Sequence, residues 1–343
     1  MFAVIDCGTS TSRVYLVNEQ REKILASGYK SVGVRDTSIT GSRDTLRRGL
    51  TELFNATLRE NAIPRENVRF AVASGMITSE IGLMEIPHLT APAGIGDLAE
   101  SIVPVPDGTV LSLGCPIYFI RGIKTAFPPE PGLGGLNAVD FMRGEEVQCV
   151  GAMERYALPY PCNLVTLSSH TKIIRLNEKR EIAACRTTIS GQLYAAVTNA
   201  TSIGASLRPA GGDEPGSMTE KEILDAARDY VERLGLARAC MMPRFLQMFE
   251  KTSAAQRQLF LSAAIAADDM KTFRDMRSAG LLSDCCVLYG HEIRCGIYEH
   301  FLRQEFGGAM RIEKIHEKEE LERLTVDGAI AVAMAYQNRK KEG

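Results

Sequence analysis

Apolar and polar residues near the start of the chain form a strand–turn–strand pattern. Residues 2–7 are a short apolar run typical of a buried strand, and residues 12–17 alternate enough to be its hairpin partner. Residues 23–31 predict a third antiparallel strand. An acid, a glycine and four hydroxyl side chains lie between the two apolar runs: Asp6, Gly8, Thr9, Ser10, Thr11 and Ser12.

The same pattern returns about 160 residues later. A strand at 163–167 is followed by the turn Ser168-Ser169-His170-Thr171, by a strand at 172–176 and by another at 182–187. The recurrence predicts two halves of related design.

The remaining segments alternate between strand and helix patterns. Helical periods are found at 42–61, 145–157, 190–199, 219–234, 242–250, 254–273, 293–306 and 326–338. Further strands are predicted at 68–73, 109–113, 117–120, 286–289 and 310–315. This alternation predicts an α/β protein, and 343 residues favour two domains over one.

Charge and cysteine content narrow the function classes. The 40 Lys and Arg nearly balance the 42 Asp and Glu, so neither nucleic acid nor an anionic membrane is indicated as a partner. The nine cysteines form no Cys-x-x-Cys pair and are typical of buried thiols in a reducing compartment. No apolar run approaches the length of a membrane span, and we therefore expect a cytoplasmic protein.

The two polar turns are candidate phosphate-binding elements. A turn rich in Gly, Ser and Thr aims backbone N–H groups and hydroxyls at an anion, although an ordinary hairpin explains one such turn equally well. The second copy also carries His170 and Lys172. Two facing hairpins would grip the phosphates of a nucleotide, with Asp6 holding Mg²⁺ directly or through water. The sequence contains neither a Walker A motif nor a G-x-G-x-x-G turn.

A second candidate segment ends in a predicted helix. It runs from Asp140 to Gln148 and contains the adjacent acids Glu145 and Glu146. Two acids at a helix N-terminus are favoured by the helix macrodipole alone. Alternatively, one of them accepts the proton of a hydroxyl that attacks a phosphate, with Arg143 beside it as a contact for a carboxylate or phosphate.

These segments together resemble the 2-dehydro-3-deoxygalactonokinase family, within the actin-like ATPase and sugar-kinase superfamily. The matching stretches are residues 5–13, residues 73–82 with Pro87, residues 141–148 with Gly151-Ala152, residues 168–172 and residues 186–193. They follow the family's order over nearly the whole chain. Three segments depart from the family's pattern: Cys7 replaces a Trp, Leu167-Ser168-Ser169-His170 replaces Pro-Gly-Thr-His, and His291-Glu292 replaces the small residues of the family's adenosine loop after Gly290.

The resemblance implies a fold and an activity. The expected fold has two ribonuclease-H-like domains around a central cleft, with mixed five-stranded sheets flanked by helices. The expected domains are 1–160 and 161–325, and helix 326–338 packs back on the first. The implied activity is bacterial: ATP with Mg²⁺ phosphorylates the 6-hydroxyl of a 2-keto-3-deoxy sugar acid such as 2-dehydro-3-deoxygalactonate. Sugar acid and ATP are then the partners, and a homodimer is left open.

The resemblance, joined to the chemistry above, also assigns residues. The expected catalytic residues are Asp6, which also binds the metal, and Glu145 or Glu146 as the base. The expected nucleotide contacts are Gly8, Thr9, Ser10, Thr11, Arg13, Ser168, Ser169, His170, Thr171, Lys172 and Gly290. The expected sugar-acid contacts are Gly75, Met76, Arg143 and Gly144.

Two alternatives from other classes remain. Because Ser168-Ser169 replaces the glycine-containing turn, the chain could be a non-catalytic sensor of a sugar acid or a nucleotide. The adjacent acids Glu145 and Glu146 ahead of a hairpin also resemble the organisation of a phosphoanhydride hydrolase.

Overall fold

The computed structural model describes residues 1–126, 132–209 and 216–342. The chain forms two compact units. The first contains Met1–Tyr160, Leu176–Cys185 and the chain from Lys318 onward, and the second contains Pro161–Arg175 and Arg186–Glu317. Among the described residues, no helix combines the length and apolarity that a membrane span requires.

The first unit is built on a six-stranded sheet in the order β3-β2-β1-β4-β7-β6. Its strands are β1 (Phe2–Cys7), β2 (Ser12–Val17), β3 (Ile24–Lys30), β4 (Ala71–Gly75), β6 (Val103–Val105) and β7 (Ile117–Phe119). A small separate sheet contains β5 (Leu89–Thr90), β8 (Ile123–Lys124) and β9 (Phe141–Met142). In the large sheet β1 pairs antiparallel with β2 and parallel with β4.

The helices of the first unit cover this sheet. They are α1 (Val34–Thr40), α2 (Asp44–Glu60), α3 (Ile95–Glu100), α4 (Glu145–Arg155) and, at the end of the chain, α11 (Lys318–Glu342). The buried face of α2 carries Leu46, Leu50 and Leu53, and this spacing is that of an amphipathic helix. α4 and α11 cross closely, because a Cβ on Gly151 would lie 1.9 Å from the carbonyl oxygen of Leu324.

The second unit contains a five-stranded sheet in the order β12-β11-β10-β13-β14. Its strands are β10 (Cys162–Leu167), β11 (Thr171–Leu176), β12 (Ile182–Thr188), β13 (Cys285–Gly290) and β14 (Arg311–Ile315). Its helices are α5 (Ser190–Ala200), α6 (Glu220–Leu234), α7 (Leu236–Ala239), α8 (Met242–Phe249), α9 (Ala254–Ser278) and α10 (Glu292–Phe306). β13 lies parallel to both β10 and β14.

In both sheets the first four strands along the chain lie in the order third, second, first and fourth. In each unit the first strand leads through a short polar turn into the second, and the fourth lies parallel beside the first. The predicted fold class, mixed α/β with helix-flanked sheets of ribonuclease-H-like type, is confirmed.

Three expectations about elements need correction. Residues 109–113 form no strand, because the Asp107 carboxylate accepts the N–H groups of Leu113 and Gly114 at 2.7 and 2.9 Å and holds the segment as a loop. The first sheet has six strands rather than five, because Val103–Val105 adds to β7 as an antiparallel edge strand. The final helix begins at Lys318 rather than 326, and the expected domain boundary at 325 therefore lies inside it.

Candidate active site

The turn after β1 has a tight backbone and an exposed tip. The N–H of Gly8 donates to the carbonyl of Thr11 at 2.8 Å and closes the turn. The side chains of Thr9 and Ser10 are exposed, and Thr11 is half-buried. Ser12 is the exception among the four hydroxyls: it is fully buried and donates to the Val32 carbonyl at 2.8 Å. Three hydroxyls of this turn therefore remain available to a ligand.

Asp6 lies at the end of β1, directly before this turn. Its side chain is 23% exposed, and its Oδ2 lies 3.6 Å from Nη1 of Arg13, the residue opposite on β2. Burial raises the pKa of Asp6, and the Arg13 guanidinium opposes that shift. Asp6 is thus a carboxylate at the C-terminal end of a central strand, and its cationic neighbour Arg13 lies 3.6 Å away. A bound cation would favour the ionised form of Asp6.

The strand beside β1 ends at a glycine that the backbone requires. Gly75 has φ +85°, and a Cβ there would lie 2.6 Å from the carbonyl oxygen of Cys7. Met76, half-buried, opens a single 3-10 turn immediately afterwards. A Cβ on Gly144 would lie 3.5 Å from the Cα of Gly75. The structure therefore brings the start of α4 to the C-terminal ends of β1 and β4, where Asp6 lies.

Arg143 is fixed by its neighbours in the first unit. Its Nη1 donates to Oγ1 of Thr78 at 2.7 Å, and its Nη2 donates to the carbonyl of Ile86 at 2.9 Å. Nη2 also lies 3.4 Å from Nδ1 of His88. Burial lowers the pKa of Arg143, and nearby acids beginning with Glu146 oppose this. The guanidinium is a preoriented positive charge just before α4.

The two adjacent acids at the start of α4 have different surroundings. Glu146 is fully buried, and the backbone N–H of Gly144 donates to its Oε1 at 2.9 Å and its Oε2 at 2.7 Å. Burial, with a smaller contribution from Glu145, raises the pKa of Glu146 to about 8. Glu145 is only half-buried. Glu146 thus caps the local backbone, and Glu145 is the acid with surface to offer a substrate.

The second polar turn rests on the start of α5. Ser168 and Ser169 are exposed, and the N–H of Ser168 donates to the carbonyl of His170 at 3.2 Å. The N–H of Gln192 donates to the Ser169 carbonyl at 2.8 Å. A Cβ on Gly191 would lie 2.1 Å from the Ser168 carbonyl oxygen, so only glycine permits this approach. Ser169 Oγ lies 3.2 Å from the His170 ring nitrogen Nδ1.

A cavity of about 1120 Å³ opens beside this turn within the second unit. Its wall includes Ser168, Ser169, Ser190, Gly191, Arg294 and Tyr298. Apolar side chains from α9 and α10, among them Leu259 and Ile297, line the rest. Mostly apolar walls with a few convergent polar groups are typical of small-molecule sites, and the volume is ample for a nucleotide.

Four second-unit residues predicted as nucleotide contacts lie outside the cavity wall: His170, and three more whose contacts hold the turn in place. Lys172 is buried, and its Nζ donates to Oγ1 of Thr187 at 2.9 Å. Thr171 is buried, with its Oγ1 3.0 Å from the hydroxyl of Tyr298. Gly290 ends β13 against β10, where a Cβ would lie 2.7 Å from the Leu167 carbonyl oxygen. All three support the turn rather than line the cavity.

Sequence reasoning missed two residues of the second unit. Arg294, on the first turn of α10, lines the cavity. Asp269 of α9 is 5% exposed and accepts hydrogen bonds from Ser190 and Tyr298. Burial raises the pKa of Asp269, and these hydroxyls oppose the shift. The sequence signal for Asp269 is an acid at a position of α9 where the helical spacing predicts an apolar residue, next to the buried Ala266 and Met270.

Each of the two units is thus a helix-flanked sheet; one carries a carboxylate with a hydroxyl-rich turn, and the other has a cavity of about 1120 Å³. The sequence profile described as 2-keto-3-deoxy-galactonokinase matches residues 6–321, and the chain belongs to this family of sugar-acid kinases. The family resemblance and the enzyme class predicted from the motifs are thereby confirmed.

Individual relatives agree with this placement. The chain is 25% identical over 282 residues to the 2-dehydro-3-deoxygalactonokinase of Escherichia coli (strain K12), and the match covers 80% of each protein. A solved structure from Sinorhizobium meliloti, provisionally described as a 2-dehydro-3-deoxygalactonokinase, superposes with a TM-score of 0.71 at 17% identity. That match covers 98% of this chain and 96% of the other and shows a shared fold.

Proposed function

We propose that the chain uses ATP with Mg²⁺ to phosphorylate the 6-hydroxyl of a 2-keto-3-deoxy sugar acid such as 2-dehydro-3-deoxygalactonate. One observation supports the proposal most directly: Gly75 and Gly144 lie against each other at the end of the sheet where Asp6 is found. The first turn of α4, which contains two glutamates, therefore lies beside the polar turn after β1. Family membership supports the choice of acceptor.

The acceptor binds in the first unit around Arg143. Its guanidinium, held by Thr78 and Ile86, presents positive charge for the carboxylate of the sugar acid. Gly75, Met76 and Gly144 line the approach. The two glycines let these backbone segments come close together, since a Cβ on Gly75 would lie 2.6 Å from the Cys7 carbonyl oxygen and one on Gly144 would lie 3.5 Å from the Cα of Gly75. Anchoring the guanidinium beforehand removes the entropic cost of ordering it when the substrate binds.

Glu145 is the general base. It takes the proton of the 6-hydroxyl as the O6–P bond forms and the bond from the γ-phosphorus to the ADP oxygen breaks. Glu146 is assigned a positioning role, because its buried carboxylate holds the Gly144 N–H and so fixes the backbone that carries Glu145. Glu145 therefore has the catalytic role considered for these two acids, and Glu146 has the structural role at the start of the helix.

Asp6 fits a magnesium site of the kind completed by a nucleotide. Among the described residues no cluster of three or more His, Cys, Asp or Glu side chains is placed to bind a metal. Mg²⁺ usually takes one or two carboxylates together with phosphate oxygens and water, and one edge carboxylate meets that need. Ser74, opposite Asp6 on β4, has a buried hydroxyl without a hydrogen-bond partner in the described part of the chain.

Bound Mg²⁺ would neutralise charge on the transferring phosphate. Around Asp6, the turn at Gly8, the hydroxyls of Thr9, Ser10 and Thr11 and the Arg13 guanidinium are the phosphate contacts of the first unit. In the second unit Ser168, Ser169 and His170 contact the nucleotide, which occupies the cavity of about 1120 Å³. Thr171, Lys172 and Gly290 act indirectly, by holding that turn.

A coupled assay of ADP release over a panel of 2-keto-3-deoxy sugar acids tests the proposal. We expect release that depends on one of these acceptors, and its loss in Asp6→Asn. Asp44→Asn is the matched control and should retain activity, because Asp44 is exposed and forms its ion pair with Arg47 on the same helix.

Two outcomes would overturn the proposal, and a third would overturn the role of Asp6. Phosphate release without an acceptor would indicate a phosphoanhydride hydrolase. Binding of a sugar acid without turnover across the panel would indicate a sensor. Unchanged turnover in Asp6→Asn would remove Asp6 from the mechanism.

A further inference from the structure

Arg294 stands apart from the other cationic side chains of the second-unit cavity. Lys221 and Lys314 also line it, but Lys221 lies 2.7 Å from a carboxylate oxygen of Asp225, and Lys314 lies 2.7 Å from one of Glu299. Within the described residues, no carboxylate forms an ion pair with Arg294. Among the described residues, Arg294 is therefore the one Lys or Arg of this wall whose charge no carboxylate neutralises.

The guanidinium of Arg294 is nevertheless held in place. Its Nη1 donates to the Ser168 carbonyl at 2.5 Å, and its Nη2 donates to Oγ1 of Thr171 at 3.2 Å. The guanidinium also lies over an aromatic ring, with its Cζ 5.9 Å from the centroid of the Tyr298 ring. These contacts fix the guanidinium at the polar turn and leave its remaining N–H donors for a ligand.

A directed chain of hydrogen bonds leads from Arg294 to Asp269. An arginine only donates and an ionised carboxylate only accepts, so both ends of the chain set its direction. The Tyr298 hydroxyl donates to Asp269 and therefore accepts from Thr171, whose oxygen in turn accepts from Arg294. Such chains strengthen each member through polarisation. Asp269 thus orients, through two hydroxyls, the side chain that holds Arg294.

We propose that Arg294 is a phosphate-binding residue of the nucleotide cavity and that Asp269 is its positioning residue. The inference rests on the proposed function, since it takes the ligand of the cavity to be a nucleotide. It also explains how a turn whose Lys172 is buried against Thr187 is supplied with positive charge. The recognised chemistry is the polyphosphate and not the base or the sugar.

Calorimetric titration of the full chain with Mg-ATP and with adenosine tests the role of Arg294. In Arg294→Gln we expect ATP affinity to fall about tenfold to a hundredfold, the loss typical of a charged hydrogen-bonding partner. Adenosine affinity should stay unchanged, because adenosine has no phosphate. Arg303→Gln is the matched control: it lies on the same helix, pairs with Glu299 and lies outside the cavity wall, so both affinities should be retained.

The positioning role of Asp269 is tested by a double-mutant cycle on the ratio of ATP to adenosine affinity. Asp269→Asn alone should lower this ratio. In the double variant Asp269→Asn/Arg294→Gln the ratio should be no lower than in Arg294→Gln, because Asp269 acts only through Arg294. A merely structural loss would weaken both ligands equally. If the Asp269 variant does not fold, Tyr298→Phe breaks the same chain while keeping the ring, and it should lower the ratio alike.

The outcomes separate the two proposals. If the unmodified chain binds neither ligand, the nucleotide cavity itself is wrong and this inference falls with it. If the unmodified chain binds both ligands and Arg294→Gln has the same ratio of ATP to adenosine affinity, the phosphate-binding role of Arg294 is overturned and the kinase proposal stands. Additive losses in the cycle, or an unchanged ratio in both Asp269→Asn and Tyr298→Phe, would overturn the positioning role.

Discussion

The backbone N–H of Gly144 donates to both carboxylate oxygens of Glu146, at 2.9 and 2.7 Å. The carboxyl is fully buried, and its pKa is raised to about 8, first by burial and then by Glu145. The folded chain therefore binds a proton here at neutral pH that the unfolded chain, with an ordinary glutamate, releases. Between pH about 4.5 and about 8 the folded state holds more protons, so stability should fall as pH rises.

This relationship predicts a pH-dependent effect of Glu146→Gln. The amide cannot ionise, so the variant should lose a slope of up to about 1.4 kcal/mol per pH unit across that window. Denaturant unfolding at several pH values between 5 and 8.5 measures it. Glu154→Gln, at an exposed acid of the same helix, should keep the slope of the original chain. Parallel curves for the original chain and Glu146→Gln would contradict the prediction.

Glu145→Gln should reduce turnover without preventing substrate binding. Because the amide cannot accept the hydroxyl proton, we expect kcat to fall by roughly 10²- to 10⁴-fold, with KM for the sugar acid changed little. Steady-state ADP release measures both constants, and Glu154→Gln should behave like the original chain. Retention of more than about a tenth of kcat would remove Glu145 as the base.

Local patterns predicted much of this site because its parts are short. The apolar run of β1, its polar turn and the helix that begins at Glu145 are each encoded within a few residues. The resemblance then joined segments that lie far apart in sequence. The distance of 3.5 Å between the Cβ position of Gly144 and Gly75 could not be derived from any one segment.

Other features of the site depend on tertiary contacts. Lys172 resembles a phosphate ligand by charge and position, but its Nζ donates to Oγ1 of Thr187, 15 residues away. Asp269 escaped notice because its partners Ser190 and Tyr298 are separated from it by 79 and 29 residues. A buried acid is stabilised by such distant hydroxyls, which periodicity cannot locate.

Gly75→Ala should destabilise the first unit and abolish activity. The substitution meets two penalties: a backbone at φ +85° and ψ −152°, a region essentially restricted to glycine, which costs about 1–3 kcal/mol, and a Cβ 2.6 Å from the Cys7 carbonyl oxygen, which adds about 1–3 kcal/mol. Gly108→Ala is the matched control, since its φ is +82° but a Cβ there meets nothing within 4 Å. Thermal unfolding and the ADP assay should separate the two variants, and equal destabilisation would show that the carbonyl contact relaxes freely.

Gly328→Ala should loosen the packing of α11 on α4. A Cβ on Gly328 would lie 1.9 Å from the Val147 carbonyl oxygen and 2.7 Å from the Gly151 nitrogen, and both are backbone atoms that cannot rotate away. The helices must separate, at an expected cost of about 1–3 kcal/mol. Gly296→Ala, within α10 and in open space, should instead stabilise by about 0.5–1 kcal/mol, because alanine is the better helix former.

Since α4 carries Glu145 and Glu146 at its start, Gly328→Ala should also lower kcat more than its loss of folded protein explains, measured as activity per folded molecule. Unchanged activity per folded molecule would show that the start of α4 is held by Glu146 and Gly144 alone and does not depend on how the helix packs on α11.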